Sequence, residues 1–399
     1  MTDFADELSR LLAERRMSQR ELARRANYDT GHINKICRGT KPATPKLAAR
    51  LDDVLDTGGA LMALVNRRQV LTGAAVIAAA PLLGTLDTER LAWAQAHPRR
   101  IDQAAVEALT SILAAQRHLE DSVGSAAMLG PVTAQIAAIE DLVAEAHGPV
   151  RHAVISVAQE WCQFGAWLNI SVRDFPASRA LWRQTLELAV EVDDATMIAT
   201  VLRSRGYMAW LAGQPGPMIG LAQAVQRDPR AALSQRTLAV ALEARGSAMT
   251  GDAPAAERKL DEATDLAAQL AGRPSEQRPW TYWCTPQWIE GTRGITLGYL
   301  AHIDRYRAQA VEALTAGYTG LSEDMRRSEW ASDLVLHRAT VHVRGGDVEA
   351  ACADALQVVP VARQTDSASL HGMLTQLHAG MAARWPDDPR VADLAEALR

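Results

Sequence analysis

Along most of the chain, apolar residues recur at i, i+3, i+4 and i+7, and almost no stretch alternates as a strand would. The pattern predicts an all-α protein. At the N-terminus it predicts a set of short helices. The first covers residues 4–15, with Phe4, Leu8 and Leu12 along one side. Ser18 stands three residues before Glu21, the spacing of a capping box, and opens a second helix from Gln19 to Arg25 with Leu22 and Ala23 inward. After the turn "ANYD", Asp29 is placed to cap a third helix running to about Cys37, with Ile33 and Ile36 inward. Gly39 suits a left-handed helix stop. Thr44 followed by Pro45 opens a fourth helix that buries Leu47, Leu51 and Leu55.

What the third helix leaves outside is polar and basic: Thr30, Gly31, His32, Asn34, Lys35 and Arg38. The combination of "SQRELA", a short turn, isoleucines three apart in "INKI" and the closing Gly39 resembles the Xre-type helix-turn-helix family of bacterial and phage repressors, over residues 4–65. The resemblance implies that the third helix enters the major groove of double-stranded DNA, with Thr30, His32, Asn34 and Lys35 facing base edges. Asn suits adenine and Lys suits guanine. Gly31 departs from the pattern, since it has no side chain to read with, and would instead let the backbone approach closely. Gln19, Arg38 and Lys41 would hold phosphates and set the register. Charge agrees with this reading. Residues 1–68 carry 13 Lys+Arg against 9 Asp+Glu, a net of +4 in a chain whose total is −5, so the basic head sits on an acidic body.

From about residue 150 a second pattern recurs. A small residue falls near the middle of one helix, a turn residue follows about seven positions later, and small and large apolar residues share the next helix. The anchors are Ala166, Gly206, Ala244, Gly298 and Ala339, spaced 40, 38, 54 and 41 residues apart. This resembles a tetratricopeptide array with lengthened helices, in which small residues let the two helices of a hairpin cross closely. Residues 100–147 are expected to form an extra hairpin joining head to array. The long 54-residue spacing contains residues 271–291, where Trp280, Tyr282, Trp283 and Trp288 crowd together and prolines 274, 279 and 286 exclude continuous helix. Such a loop either caps the core or touches a ligand.

In tetratricopeptide arrays the first helix of each hairpin lines the concave surface. Carried over, that register implies Gln163, Trp167, Arg203, Tyr207, Trp210, Arg245, Tyr299 and His302 on the groove, with Trp280 and Trp283 nearby. The set is aromatic, basic and hydrogen-bonding. It suits a peptide or a planar organic molecule carrying anionic or carbonyl groups.

Three domains follow: a helix-turn-helix domain (1–65), a linker or docking segment (66–99), and an effector-sensing and dimerisation domain (100–399). Residues 66–86, "NRRQVLTGAAVIAAAPLLGTL", place two arginines before an apolar run in the manner of an export signal. They follow a complete domain, however, and Pro81 interrupts a run shorter than the ~20 residues of a spanning helix, so a linker and no membrane contact are expected. Cys37, Cys162, Cys284 and Cys352 lie far apart without a CxxC, as in reduced cytoplasmic proteins. There is no phosphate loop or nucleophile elbow, and His337 and His342 are five apart, poor spacing for a metal pair; no enzyme activity, cofactor or metal is expected. The whole is similar to peptide-sensing quorum regulators of Gram-positive bacteria and to a large set of actinobacterial regulators. The resemblance implies a dimeric, cytoplasmic transcription factor on a pseudo-palindromic operator, switched by a small-molecule or peptide effector. A second expectation is a DNA-bound adaptor whose array recruits a partner protein. A third is a sensor tethered to a membrane through residues 70–86.

Overall fold

The structure is a computed structural model. It describes residues 4–15, 17–26, 28–38, 45–55, 57, 61, 102–273 and 281–399. Among the described residues there are helices and no strands. The chain divides into two compact units, Met1–Pro81 and Leu82–Arg399.

The first unit contains α1 (Phe4–Glu14), α2 (Gln19–Ala26), α3 (Thr30–Cys37) and α4 (Pro45–Leu55). Its core is the apolar seam the spacing predicts: Leu8, Leu22, Ile33, Leu47, Leu51 and Leu55 are fully buried. Ser18 caps α2, its hydroxyl oxygen accepting from the Glu21 N–H at 3.1 Å. The other half of the capping box is missing. The Glu21 carboxylate bonds Arg24 and Arg25 instead, each at 2.7 Å, and those contacts hold its carboxyl down at about 2. The expected caps Gly39 and Thr44 and the apolar segment at 70–86 lie outside the described residues.

The second unit is a helical-repeat solenoid of antiparallel pairs. They are α5 (Gln103–Val123) with α6 (Ser125–Glu145), α7 (Pro149–Ser171) with α8 (Phe175–Glu191), α9 (Ala195–Leu211) with α10 (Pro215–Arg227), and α11 (Leu233–Met249) with α12 (Ala253–Ala271). After them come α13 (Pro286–Gly298) with α14 (Asp304–Thr319), a single turn α15 (Glu323–Arg326), α16 (Glu329–Gly345) with α17 (Val348–Gln364), and α18 (Ala368–Arg384) with α19 (Pro389–Ala397). All the sequence anchors fall on first helices, and all are buried. Seven residues after four of them the backbone turns with positive φ: Arg173 at 65°, Gly213 at 67°, Gly251 at 82° and Gly346 at 85°. Glycine reaches this region without steric cost, which is why it holds three of the four places. An aspartate then caps the next helix, as Asp174, Asp252 and Asp347 do from their side chains at 3.0 Å.

Three expectations change. Gly298 ends α13 instead of sitting at its middle, and the small residue at that crossing is Gly294, where a Cβ would meet the Leu314 nitrogen at 2.7 Å. The turn position seven after Gly298, Arg305, accordingly lies inside α14. The last pair, α18 with α19, has no anchor in the spacing pattern and adds a hairpin to those the pattern predicts.

The array curls far enough for its first pair to touch its sixth. At the α5–α6 corner the Ser125 N–H donates to the Glu329 carboxylate at 3.3 Å, and a Cβ on Gly124 would lie 2.5 Å from the Thr365 Cβ. The hairpin expected over residues 100–147 is thus packed into the array as its first pair. Helix α6 is long and apolar enough to cross a bilayer by length and composition, yet it packs on α7 and its buried apolar residues belong to the core with Ile112 and Trp161.

Close crossing sets a clear stability contrast. A Cβ on Gly317 of α14 would lie 2.5 Å from the Gly291 nitrogen of α13, whereas one on exposed Gly220 of α10 meets nothing within 4 Å. Gly317→Ala is expected to lower unfolding free energy by ~1–3 kcal/mol. Gly220→Ala should raise it by ~0.5–1 kcal/mol. Urea denaturation of both variants checks the pair.

Candidate functional sites in the two units

In the first unit, Asp29 positions α3. Its backbone is extended and its side chain accepts from the His32 N–H at 3.0 Å. With Ile33 and Ile36 locked inward, Thr30, Gly31, Lys35 and Arg38 are exposed, while His32 and Asn34 are partly exposed. Residues 31, 34, 35 and 38 share one outer face by helical spacing. Of the expected reading residues, Asn34 and Lys35 lie on that face, and Thr30 and His32 flank it on either side. His32 leans on Tyr28, ring centroids 5.8 Å apart. Gly31 has a local reason to be glycine: a Cβ there would lie 2.9 Å from the Asp29 cap oxygen. Gln19 is half-buried at the start of α2, and Lys41 lies outside the described residues.

In the second unit, the first helix of each pair turns one face to a shared cavity of about 210 Å³. This is far above the ~10–15 Å³ that a single water needs. Of the expected groove residues, Gln163, Trp167, Arg203, Tyr207, Trp210, Arg245 and Trp283 line it. Tyr299 and His302 do not. Helix α13 stops at Gly298, so the helical register that was to carry both inward ends before them. Tyr299 acts from behind, its hydroxyl accepting from the Trp210 indole N–H at 2.6 Å, and His302 is exposed. Trp280 lies outside the described residues.

One wall is a row of rings. Trp167 and Tyr207 stand 6.0 Å apart, Tyr207 and Trp210 5.1 Å, and the Arg245 guanidinium rests 4.3 Å from the Trp210 centroid. A second row, Trp283, Trp288 and Trp330, meets edge to face at 5.7 and 5.1 Å. The aromatic loop therefore both packs and lines.

The cationic side of the cavity is short of acceptors. Arg203 donates its Nε–H to the Gln235 side chain at 2.9 Å, and burial draws its guanidinium down to about 10. Burial also lowers Arg245, which is 5% exposed and whose Nε has no hydrogen-bond partner. Gln235, fully buried, leaves its Nε2 without an acceptor. Neither arginine pairs with a carboxylate among the described residues. Buried donors and charges left in this state are costly, and a ligand acceptor would relieve them.

The opposite side is acidic, and the sequence reading missed it. Glu120 and Asp121 of α5 and Glu329 of α16 line the cavity. Burial pushes the Glu120 carboxyl up to about 8; the Ser125 hydroxyl opposes this, and the Asp121 and Glu329 charges add to it. Burial likewise raises Asp121 and Glu329. The signal was present as Gln116, Arg117 and Glu120, polar residues on the apolar face of α5. Arg117 is anchored there, donating to the Glu160 carbonyl at 3.0 Å and the Gln163 side chain at 2.8 Å.

A family model described as a helix-turn-helix domain matches residues 3–65. No curated protein and no solved structure matches the chain. The first unit is a helix-turn-helix domain, and the protein is a DNA-binding regulator.

The acidic side has a pH signature. Between the ordinary glutamate value of 4.5 and about 8, the folded protein keeps a proton on Glu120 that the unfolded chain releases. Stability therefore falls as pH rises through that window. Glu120→Gln is expected to flatten the slope and be the more stable form at pH 8, by on the order of a few kcal/mol, with the gap closing towards pH 4.5. Thermal melts across this range provide the measurement.

Proposed function

We propose that the protein is a sequence-specific transcription regulator whose repeat unit, of tetratricopeptide type, binds a small organic or peptide effector in its cavity and thereby changes operator affinity. The observation that carries this reading is the pair of buried donors on Gln235 and Arg245, which line the cavity beside the Arg203 guanidinium and have no acceptor to meet them. The arginines hold a carboxylate or carbonyl, and Trp167, Tyr207 and Trp210 stack on the apolar part. Because every first helix contributes to the lining, an effector that touches several of them biases the small rotations between repeats that set solenoid curvature. The regulator acts in the cytoplasm as a homodimer on a pseudo-palindrome with half-sites ~34 Å or a multiple apart. It performs no catalysis and needs no cofactor.

Gel shifts on operator and scrambled DNA test the reading helix. Lys35→Ala should lose discrimination between the two, whereas Arg38→Ala should weaken both alike and reduce the salt slope by ~0.9 for each phosphate no longer neutralised. Equal loss of specific and nonspecific binding in both variants would remove α3 from the major groove.

A host-cell extract that shifts wild-type operator binding tests the cavity. A coupling of ~1–3 kcal/mol corresponds to a ~5–150-fold change in affinity. Arg203→Ala and Trp210→Ala are expected to bind operator as wild type does and to ignore the extract. If both variants still respond, the array is not the sensor, and the DNA-bound adaptor that recruits a partner protein becomes the better account.

A further inference from the structure

The acidic side of the cavity is the place where the solenoid meets itself. Glu120 and Asp121 sit at the C-terminal end of α5, in the first pair, and Glu329 opens α16, in the sixth. Among the described residues none of the three carboxylates pairs with a lysine or arginine. All are held by neutral donors: Glu120 by the Ser125 hydroxyl, Asp121 by the Tyr282 hydroxyl and by the Trp330 indole N–H at 2.9 Å, and Glu329 by the Ser125 N–H and the Ser367 hydroxyl at 3.0 Å. Indoles of Trp167 and Trp330 wall the same space. At the far end of the ring row, Arg245 and Gln235 keep buried donors with no acceptor.

We propose that this seam is an ammonium subsite and that the effector is amphoteric: its amine lies among Glu120, Asp121 and Glu329, its apolar middle runs along Trp167, Tyr207 and Trp210, and its acceptor end meets Arg203, Gln235 and Arg245. Carboxylates bordered by aromatic faces are the surroundings an organic cation prefers, since charge and ring quadrupole both attract it. A hard metal ion instead asks for six to eight oxygens, and no group of His, Cys, Asp and Glu among the described residues is arranged to hold one. The amine would supply a positive charge that Glu120, Asp121 and Glu329 receive from no lysine or arginine among the described residues. It would also bridge α5 to α16, so that occupancy fastens the first pair of the array to the sixth. The inference rests on the cavity being an effector site, and it specifies that effector's chemistry.

Calorimetry on the full-length protein without DNA tests it, with 4-phenylbutylamine, its N-acetyl derivative and 4-phenylbutyrate as probes. The amine is expected to bind at millimolar concentration or below, and the neutral N-acetyl compound ~10-fold or more weaker. A Glu120→Gln, Glu329→Gln double variant should lose the amine by a similar factor and retain the carboxylate probe; Arg203→Gln should do the reverse. Should the double variant fail to fold, Glu329→Gln alone makes the comparison. An amine that binds no better than its N-acetyl derivative, that binds the glutamine variant as well as wild type, or that gives no binding heat at all, overturns the proposal. Gel shifts with the same probes separate the two levels of inference. An amine that binds as described but leaves operator affinity unchanged defeats regulation through the cavity and leaves the subsite standing. A wild type that answers the extract but shows no preference for the amine defeats only the subsite.

Discussion

How closely the helices of the array can approach one another governs the rest of its architecture. A small residue at each crossing permits that approach. A Cβ on Gly206 would already stand 2.8 Å from Leu242, and Gly317 sits against the backbone of Gly291. Larger side chains at these points would push the pairs apart and open the curve. Because one face of each first helix is spent on such contacts, a different face is turned to the concave side. That face is where Trp167, Arg203, Tyr207, Trp210 and Arg245 appear, and curvature is what gathers them round one space.

The joints of this curve are unequal. Within and between successive pairs, large apolar side chains fill the contacts: Trp161 and Leu109 in the first pairs, Tyr306 and Leu334 further on, are fully buried in hydrophobic clusters. Where the first pair meets the sixth, hydrogen bonds join Asp121 to Trp330 and Ser125 to Glu329. A net hydrogen bond contributes ~1 kcal/mol, against ~1.5–3 kcal/mol for one large buried apolar side chain. Contact for contact, the seam is therefore held less strongly than the apolar joints. It also gathers three carboxyl groups whose charged forms burial disfavours, so its state responds to whatever occupies the cavity.

The repeat was legible because its causes are local. A small residue, a turn seven positions later and an aspartate cap are all read within one hairpin, and so the first helices α7, α9, α11 and α16 could be placed from spacing. The groove residues on α7, α9 and α11 followed from register. Three features were not legible, each for a long-range reason. Gly294, not Gly298, sits at its crossing because the partner helix approaches there, and α13 ends at Gly298, which leaves Tyr299 and His302 off the lining. The pair α18–α19 has no periodic anchor. The acidic side joins residues about two hundred positions apart, and nothing near Glu120 in the sequence points to Glu329. In the head, Ser18 and Asp29 were readable as caps because a cap bonds within three residues; the fate of the Glu21 carboxylate, drawn to two arginines on its own helix, was decided by competition between equally local partners.

Meeting end to flank has a further consequence for how such a chain can change over generations. An open stack of hairpins can gain or lose a unit and remain a stack, because each unit answers only to its neighbours. Here the corner at Gly124 must reach Thr365 across the lumen. Duplicating or deleting one hairpin between them would carry the two surfaces past each other by a whole unit. The number of hairpins in between is thus locked by the circumference, and variation is confined to side chains on the inner faces. Inheritance can retune what this chamber holds far more easily than it can resize it.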